Sequence, residues 1–140
     1  MGAVAQGVDH VVFHVRDGEH DDLDIEDLLA EEPGAGLLAI TSPDRLHAGW
    51  TAAQRARMRG ERTARSHIDR VLARLAPEAR LVTVLDGHPA TLSWLGAVRG
   101  HHVVALGPDR FGQAGDVPDL YRAYGLDTDA ILDACAQALI

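Results

Sequence analysis

The feature that most constrains the fold is the run LVTVL at residues 81–85, which is apolar at four of its five positions. Branched side chains favour extended backbone, and a run without polar alternation is typical of a strand that helices cover on both faces. The runs LLAI at residues 37–40 and HHVVAL at residues 101–106 have a similar character. Together they predict a sheet with several buried strands.

Helical patterns lie between these strands. Ser42 and Pro43 mark a helix start, because serine caps the first turn and proline suits its first position. We expect this helix to run to Arg59 and to stop at Gly60. Strands that alternate with helices indicate an α/β fold with a mainly parallel sheet between helices, over residues 36–140. Apolar spacing and terminal glycine or proline predict the other helices at residues 63–75, 90–98, 118–124 and 130–139.

The first part of the chain has a different composition. Residues 8–15, VDHVVFHV, predict a strand or an extended arm, whereas residues 9–32 hold ten carboxylates and one arginine. We interpret residues 1–35 as an acidic N-terminal arm or linker. The alternatives are that residues 8–15 supply a further strand to the sheet, or that the segment forms a surface that reaches a partner.

Composition and charge exclude several classes of function. The chain has 140 residues, the size of one domain. Its net charge of −8 at pH 7 argues against nucleic acid as the main partner. No apolar run is long enough for a membrane span, and the N-terminus lacks the pattern of a signal peptide. With Cys135 as its only cysteine, the chain is expected in the cytoplasm.

The basic residues are concentrated in one region. All thirteen are arginine, and nine of them lie in residues 44–80 together with four carboxylates. The arginines at positions 55, 57, 59, 62 and 65 are expected to form a solvated face. The alternative is that they contact an acidic partner surface.

Four stretches, taken in order, carry a family resemblance: TSPDRLHAGW at residues 41–50, LVTVLDGHPATLSWLG at 81–96, LGPDRFGQAGDVPDLYRAYGLD at 106–127, and the closing helix from Asp129. They resemble the C-terminal domain of transketolase-like, thiamine diphosphate-dependent enzymes, in particular the decarboxylating components of pyruvate-type 2-oxoacid dehydrogenases. The resemblance covers about residues 34–140. It implies a three-layer α/β/α domain with a mostly parallel sheet of about five strands, an ordinary size for a sheet, with one antiparallel edge strand.

The resemblance also implies a function. In these enzymes separate domains hold the thiamine diphosphate and its Mg²⁺, and this chain lacks the glycine-aspartate-glycine motif that binds them. We therefore expect a C-terminal assembly or interface domain, or the subunit of a split enzyme, that has no catalytic residues and binds no cofactor or metal alone. Its expected partners are a second copy, or other subunits or domains of such an enzyme. Nucleic acid and membranes are not expected.

His88 is the first candidate site residue, because it follows the strand at residues 81–85 in the sequence DGHP. Ligands of open α/β sheets lie at such strand ends. We interpret Asp86 and His88 as residues that hold the turn or contact a partner domain. The alternative is a stand-alone module that uses the His88 turn and the Gly112 loop to bind a small anion at the start of the next helix.

The second candidate is the glycine-rich loop after residue 106. By the resemblance, Phe111, Gly112 and Gln113, followed by Asp116, pack against a neighbouring domain near the mouth of the active site. The loop lacks the lysine of a P-loop and the full glycine fingerprint of a dinucleotide site, so a nucleotide is not expected.

The eight histidines do not predict a metal site. His10 and His14 share one face of a strand but lie about 13 Å apart by its usual rise. His101 and His102 point to opposite faces of a regular strand. No pair of cysteines accompanies any of them.

Overall fold

The computed structural model of the chain describes residues 10–15, 35–85, 87–110 and 115–138. Within these residues four strands form one sheet in the order β2-β1-β3-β4, and every neighbouring pair is parallel. This confirms the prediction of an α/β fold with a parallel sheet. The strands are β1 (His10–Val15), β2 (Ala35–Ile40), β3 (Arg80–Val84) and β4 (Val103–Leu106).

Strand β1 lies inside the sheet. His10 pairs with Ala35 of β2 on one side and with Arg80 of β3 on the other. Residues 10–15 of the strand predicted at residues 8–15 therefore belong to the sheet. This agrees with the alternative that the segment supplies a further strand. Among the described residues the sheet has four strands, and neither a fifth strand nor an antiparallel edge strand is found there.

Six helical segments accompany the sheet in the described ranges, and their order agrees with the sequence pattern. They are α1 (Pro43–Met58), α2 (His67–Leu72), α3 (Ala90–Ser93), α4 (Leu95–Arg99), α5 (Val117–Ala123) and α6 (Thr128–Ala138). Two predictions were wrong in extent. The helix expected at residues 63–75 is shorter, and the helix expected at residues 90–98 is divided into α3 and α4 at Trp94. None of the described helices is both long and apolar enough to cross a bilayer.

The ends of the helices have local causes. Gly60 and Gly100 follow α1 and α4 with φ angles of 101° and 82°, a conformation that glycine adopts without a steric penalty. At the start of α2, the Ser66 hydroxyl accepts a hydrogen bond from the Asp69 N–H, and the Asp69 carboxylate accepts one from the Ser66 N–H. This capping box fixes the start of the helix and explains why it begins later than predicted. Ser42 occupies the N-cap position of α1, but its hydroxyl makes no capping hydrogen bond, in contrast to the prediction.

A hydrophobic core lies on each face of the sheet. On one face α1 to α4 pack over β2 and β3, and on the other α6 packs over β3 and β4. Alternate residues of β3 supply both cores, with Leu81 on the first face and Val82 on the second. The first core includes Leu38, Ile40, Ile68, Leu72, Leu92 and Leu95, and the second includes Val84, Leu126, Ile131, Ala134, Cys135 and Ala138.

Candidate functional site at the carboxyl edge of the sheet

The carboxyl ends of all four strands meet at one edge, because the strands are parallel. The chain moves from β1 to its neighbour β2 on one side, and from β3 to its neighbour β4 on the other. A sheet with this change of direction offers a crevice outside the carboxyl ends of its central strands, where open α/β proteins bind ligands. The described residues that follow strands at this edge are 41–42, 85, 87–89 and 107–110.

The loops that follow β3 and β4 approach each other very closely. A Cβ atom on Gly107 would lie 2.3 Å from the Gly87 carbonyl oxygen and 3.1 Å from the Leu85 carbonyl oxygen. The Leu85 N–H also donates to the Leu106 carbonyl oxygen at 3.2 Å, which extends the pairing of β3 and β4 beyond the strands. Only glycine fits at position 107. The structure thus brings the DGHP turn and the start of the glycine-rich loop together.

His88 is exposed at this edge, and its Nδ1 atom accepts a hydrogen bond from the Ala90 N–H at 3.2 Å. The side chain therefore holds its own turn at the start of α3, which agrees with the turn interpretation. The Ala90 N–H is engaged by this bond, so it is not free for an anion. Asp86, the other residue of this interpretation, lies outside the described residues. Contact between His88 and a partner domain stays a prediction.

The second candidate loop is described only in part. Phe111, Gly112 and Gln113 lie outside the described residues. Asp116 is exposed and caps α5, since its carboxylate accepts a hydrogen bond from the Asp119 N–H at 3.1 Å. No described hydrogen bond or ion pair joins Asp116 to His88. Their shared role at a domain interface therefore stays a prediction as well.

A cavity of about 330 Å³ opens beside the carboxyl end of β2. Arg45 and His67 supply its basic side chains, and both are exposed. The cavity adjoins the first turn of α1, where the helix dipole also favours negative charge. The arrangement suits a small carboxylate or phosphate. The full lining is Ile40, Thr41, Ser42, Arg45, Leu46 and His67.

Sequence reasoning did not single out Arg45 or His67. One signal was present, because the helix start at Ser42 directly follows a buried strand, and such junctions lie at the ligand-binding edge of parallel sheets. No comparable signal linked His67 to this junction, because His67 is distant in sequence from the other residues that line the cavity.

Two buried polar atoms have no hydrogen-bond partner in the described part of the chain, Thr83 Oγ1 and His101 Nε2. His101 is buried before β4, with its Nδ1 atom 2.8 Å from the Ala79 carbonyl oxygen. Nδ1 must carry the proton to donate to a carbonyl. The neighbouring His102 is exposed. Both histidines precede β4, so the strand predicted at residues 101–106 begins later than expected and the prediction of opposite strand faces does not apply to them. The hydrogen bond between His101 and Ala79 therefore joins the segments that precede β3 and β4 at the amino edge of the sheet.

The clearest electrostatic feature lies away from the carboxyl edge, where Arg57 meets Asp69. Arg57 Nη1 lies 3.6 Å from Asp69 Oδ2, and the same carboxylate oxygen accepts hydrogen bonds from the Ser66 N–H at 2.7 Å and hydroxyl at 2.6 Å. Burial disfavours the charged form of Asp69, but the Ser66 hydrogen bonds and the Arg57 guanidinium more than offset this effect. The pKa of Asp69 therefore lies below its ordinary value of 3.8. This cluster fixes the end of α1 to the start of α2.

Fold and site together define a parallel α/β domain, with a hydrophobic core on each face of the sheet and its candidate site at the carboxyl edge. In the described ranges, no group of three or more histidine, cysteine, aspartate or glutamate side chains could hold a metal ion. No family model matches the chain, and no curated protein matches it either.

Proposed function

We propose that this chain is the C-terminal assembly or interface domain, or a split subunit, of a thiamine diphosphate-dependent transketolase or 2-oxoacid dehydrogenase-type enzyme, and that it is not catalytic in isolation. The ordered sequence motifs and the parallel α/β fold support this proposal. A three-layer domain with about five strands and a cytoplasmic location belong to the same proposal. The cofactor and Mg²⁺ would be held by other domains or subunits of the assembly.

The observation that carries the proposal is the contact between Gly107 and Gly87. These residues belong to the two motifs that end at the carboxyl edge, DGHP and LGPDRFGQ, which lie about twenty residues apart in the sequence. The close approach of their backbones makes one continuous edge from two motifs. This edge presents the exposed His88 imidazole beside residues 107–110. Such an edge suits contact with a neighbouring domain, because the rim of an interface is polar and this edge offers backbone groups and an imidazole ring.

Calorimetric titration with thiamine diphosphate and Mg²⁺ tests the non-catalytic part of the proposal. We expect no heat of binding to the chain alone and no turnover of 2-oxoacids. Binding in the micromolar range would contradict the assignment of the cofactor to other domains.

Affinity capture tests the interface part. The tagged chain should retain a thiamine diphosphate-dependent activity from an extract of its source cells, measured as cofactor-dependent decarboxylation of 2-oxoacids in the captured fraction. His88→Ala should reduce the captured activity. The control Arg99→Ala, an exposed residue at the end of α4, should leave it unchanged. Capture without such an activity, or equal loss in both variants, would count against the proposal.

The cavity beside β2 favours a second candidate, a stand-alone module that binds a small anion. Here Arg45 and His67 would neutralise a carboxylate or phosphate group. Phosphate and simple carboxylates should then raise the melting temperature, and Arg45→Gln should remove the effect. An unchanged melting temperature across such a panel would exclude this candidate.

A further inference from the structure

The surface around the end of α1 carries concentrated positive charge. Residues 55–70 contain six arginines and two acids, so this segment has a charge of +4 within a chain of net charge −8. All of these arginines are exposed except Arg57, which is half-buried. We call Arg55, Arg57, Arg59, Arg62, Arg65 and Arg70 the arginine surface.

Hydrogen bonds gather the arginine surface around one loop without cancelling its charge. The guanidinium groups of Arg57 and Arg65 donate to the Ala64 carbonyl oxygen at 3.0 and 2.9 Å. Arg70 donates to the Arg65 carbonyl oxygen at 3.4 Å. Carbonyl acceptors carry no formal charge. These bonds therefore orient Arg57, Arg65 and Arg70. Asp69 lies 3.6 Å from Arg57 and Glu61 lies 3.8 Å from Arg59, and the charge of +4 already counts both acids.

Met58 lies within the arginine surface and is 86% exposed. Where side-chain burial is described, the other large hydrophobic side chains are at least partly covered. Methionine and arginine are both enriched in protein interfaces. An exposed methionine among arginines therefore fits a protein partner whose surface is acidic and also offers an apolar contact.

The same chain carries a surface of this kind on its other side. Residues 126–133 contain three aspartates and no basic residue, a charge of −3. Leu132, which is partly buried against the second core, lies between two exposed aspartates of α6 in the sequence. We call Asp127, Asp129 and Asp133 the aspartate surface.

We propose that the arginine surface of one copy docks onto the aspartate surface of a second copy, so that the chain self-associates head to tail. Helices α1 and α2 cover one face of the sheet and α6 covers the other, so the two surfaces of one copy face away from each other. A two-fold dimer through the arginine surface would set arginine against arginine, which like-charge repulsion opposes. A head-to-tail contact matches +4 with −3. This inference does not depend on the proposed enzyme assembly.

Sedimentation velocity of the whole chain gives the first test. The average mass should rise with protein concentration in about 0.05 M salt and fall towards the monomer in about 0.5 M salt, because exposed charges are screened. A chain that stays monomeric at high concentration and low salt would overturn the proposal.

Charge reversal gives the decisive test. Arg59→Glu with Arg62→Glu, and Asp129→Arg with Asp133→Arg, should each weaken self-association at least about tenfold. An equimolar mixture of the two variants should form a one-to-one complex and nothing larger, because only one complementary contact remains. Failure of the mixture to associate, while both proteins keep the circular dichroism of the original chain, would refute the contact.

Two controls separate this contact from general repulsion. Arg74→Glu with Arg99→Glu reverses two exposed arginines outside the arginine surface and gives the same net charge as the Arg59, Arg62 variant. This control should associate like the original chain, and loss of association here would overturn the proposal. Met58→Asp replaces an exposed side chain and should also weaken association while keeping the circular dichroism of the original chain. An unchanged association of the Met58 variant would contradict docking at this surface.

Discussion

Replacing Gly107 with alanine tests how the carboxyl edge is built. The new Cβ atom would lie 2.3 Å from the Gly87 carbonyl oxygen, which is 1.1 Å closer than the 3.4 Å at which ordinary contact begins. Its other near neighbours, the Leu85 carbonyl oxygen and the Pro89 nitrogen, are backbone atoms too, each 3.1 Å away. No flexible side chain can move aside. Overpacking costs about 1–3 kcal/mol, and we expect a loss of about 3 kcal/mol in the free energy of unfolding because backbone has to shift.

Gly49→Ala is the matched control for this substitution. Gly49 is exposed within α1, and a Cβ atom there would meet nothing within 4 Å. Alanine should stabilise the helix by about 1 kcal/mol. Urea unfolding of both variants can be followed by the fluorescence of Trp50 and Trp94, whose rings stack with their centroids 5.1 Å apart. If Gly107→Ala lost less than about 1 kcal/mol, the close approach of the two loops, and the argument built on it, would be wrong.

Two further predictions concern buried polar groups. Asp69→Asn should lower the free energy of unfolding by about 1 kcal/mol at neutral pH, because charged hydrogen bonds from Ser66 and the ion pair with Arg57 are lost. Since the pKa of Asp69 is lowered on folding, its contribution is complete above the ordinary value of 3.8 and is lost as the pH falls through the folded value. In urea titrations the difference between the two proteins should therefore shrink below pH 3.8, and a constant difference would contradict this account. His101→Asn can still donate to the Ala79 carbonyl oxygen and should be about 1 kcal/mol more stable than His101→Ala, whereas equal melting curves would mean that the hydrogen bond contributes nothing.

The strands and most helix ends could be predicted because their causes are local. The run at residues 81–85 is buried on both faces and became β3, and Gly100 ended a helix through its backbone freedom. The capping box of Ser66 and Asp69 was equally readable from their spacing, but the prediction started that helix too early. The interior position of β1 could not be predicted, because the order of strands depends on pairing between distant segments.

In the candidate site, too, local features could be predicted from the sequence, whereas contacts between distant loops could not. The sequence indicated His88 because a polar residue after a buried strand lies at the ligand-binding edge of a parallel sheet. It did not indicate that Gly107 packs against Gly87, since this contact joins two different loops. The cavity near Arg45 and His67 was missed for the same reason, because its walls come from β2, α1 and the start of α2.

The carboxyl edge and the arginine surface lie at opposite ends of α1. This helix begins at Pro43, beside the carboxyl edge, and ends at Met58, within the arginine surface. At the usual rise per residue these ends are about 22 Å apart, and the aspartate surface lies at α6. The head-to-tail contact therefore uses neither His88 nor residues 107–110. The two contacts should therefore respond independently, because mutations this far apart with no shared partner are usually additive. His88→Ala should reduce capture of the enzyme activity without changing self-association, and Arg59→Glu with Arg62→Glu should do the reverse. If one substitution changed both properties in a folded chain, capture and self-association would have to share a single surface.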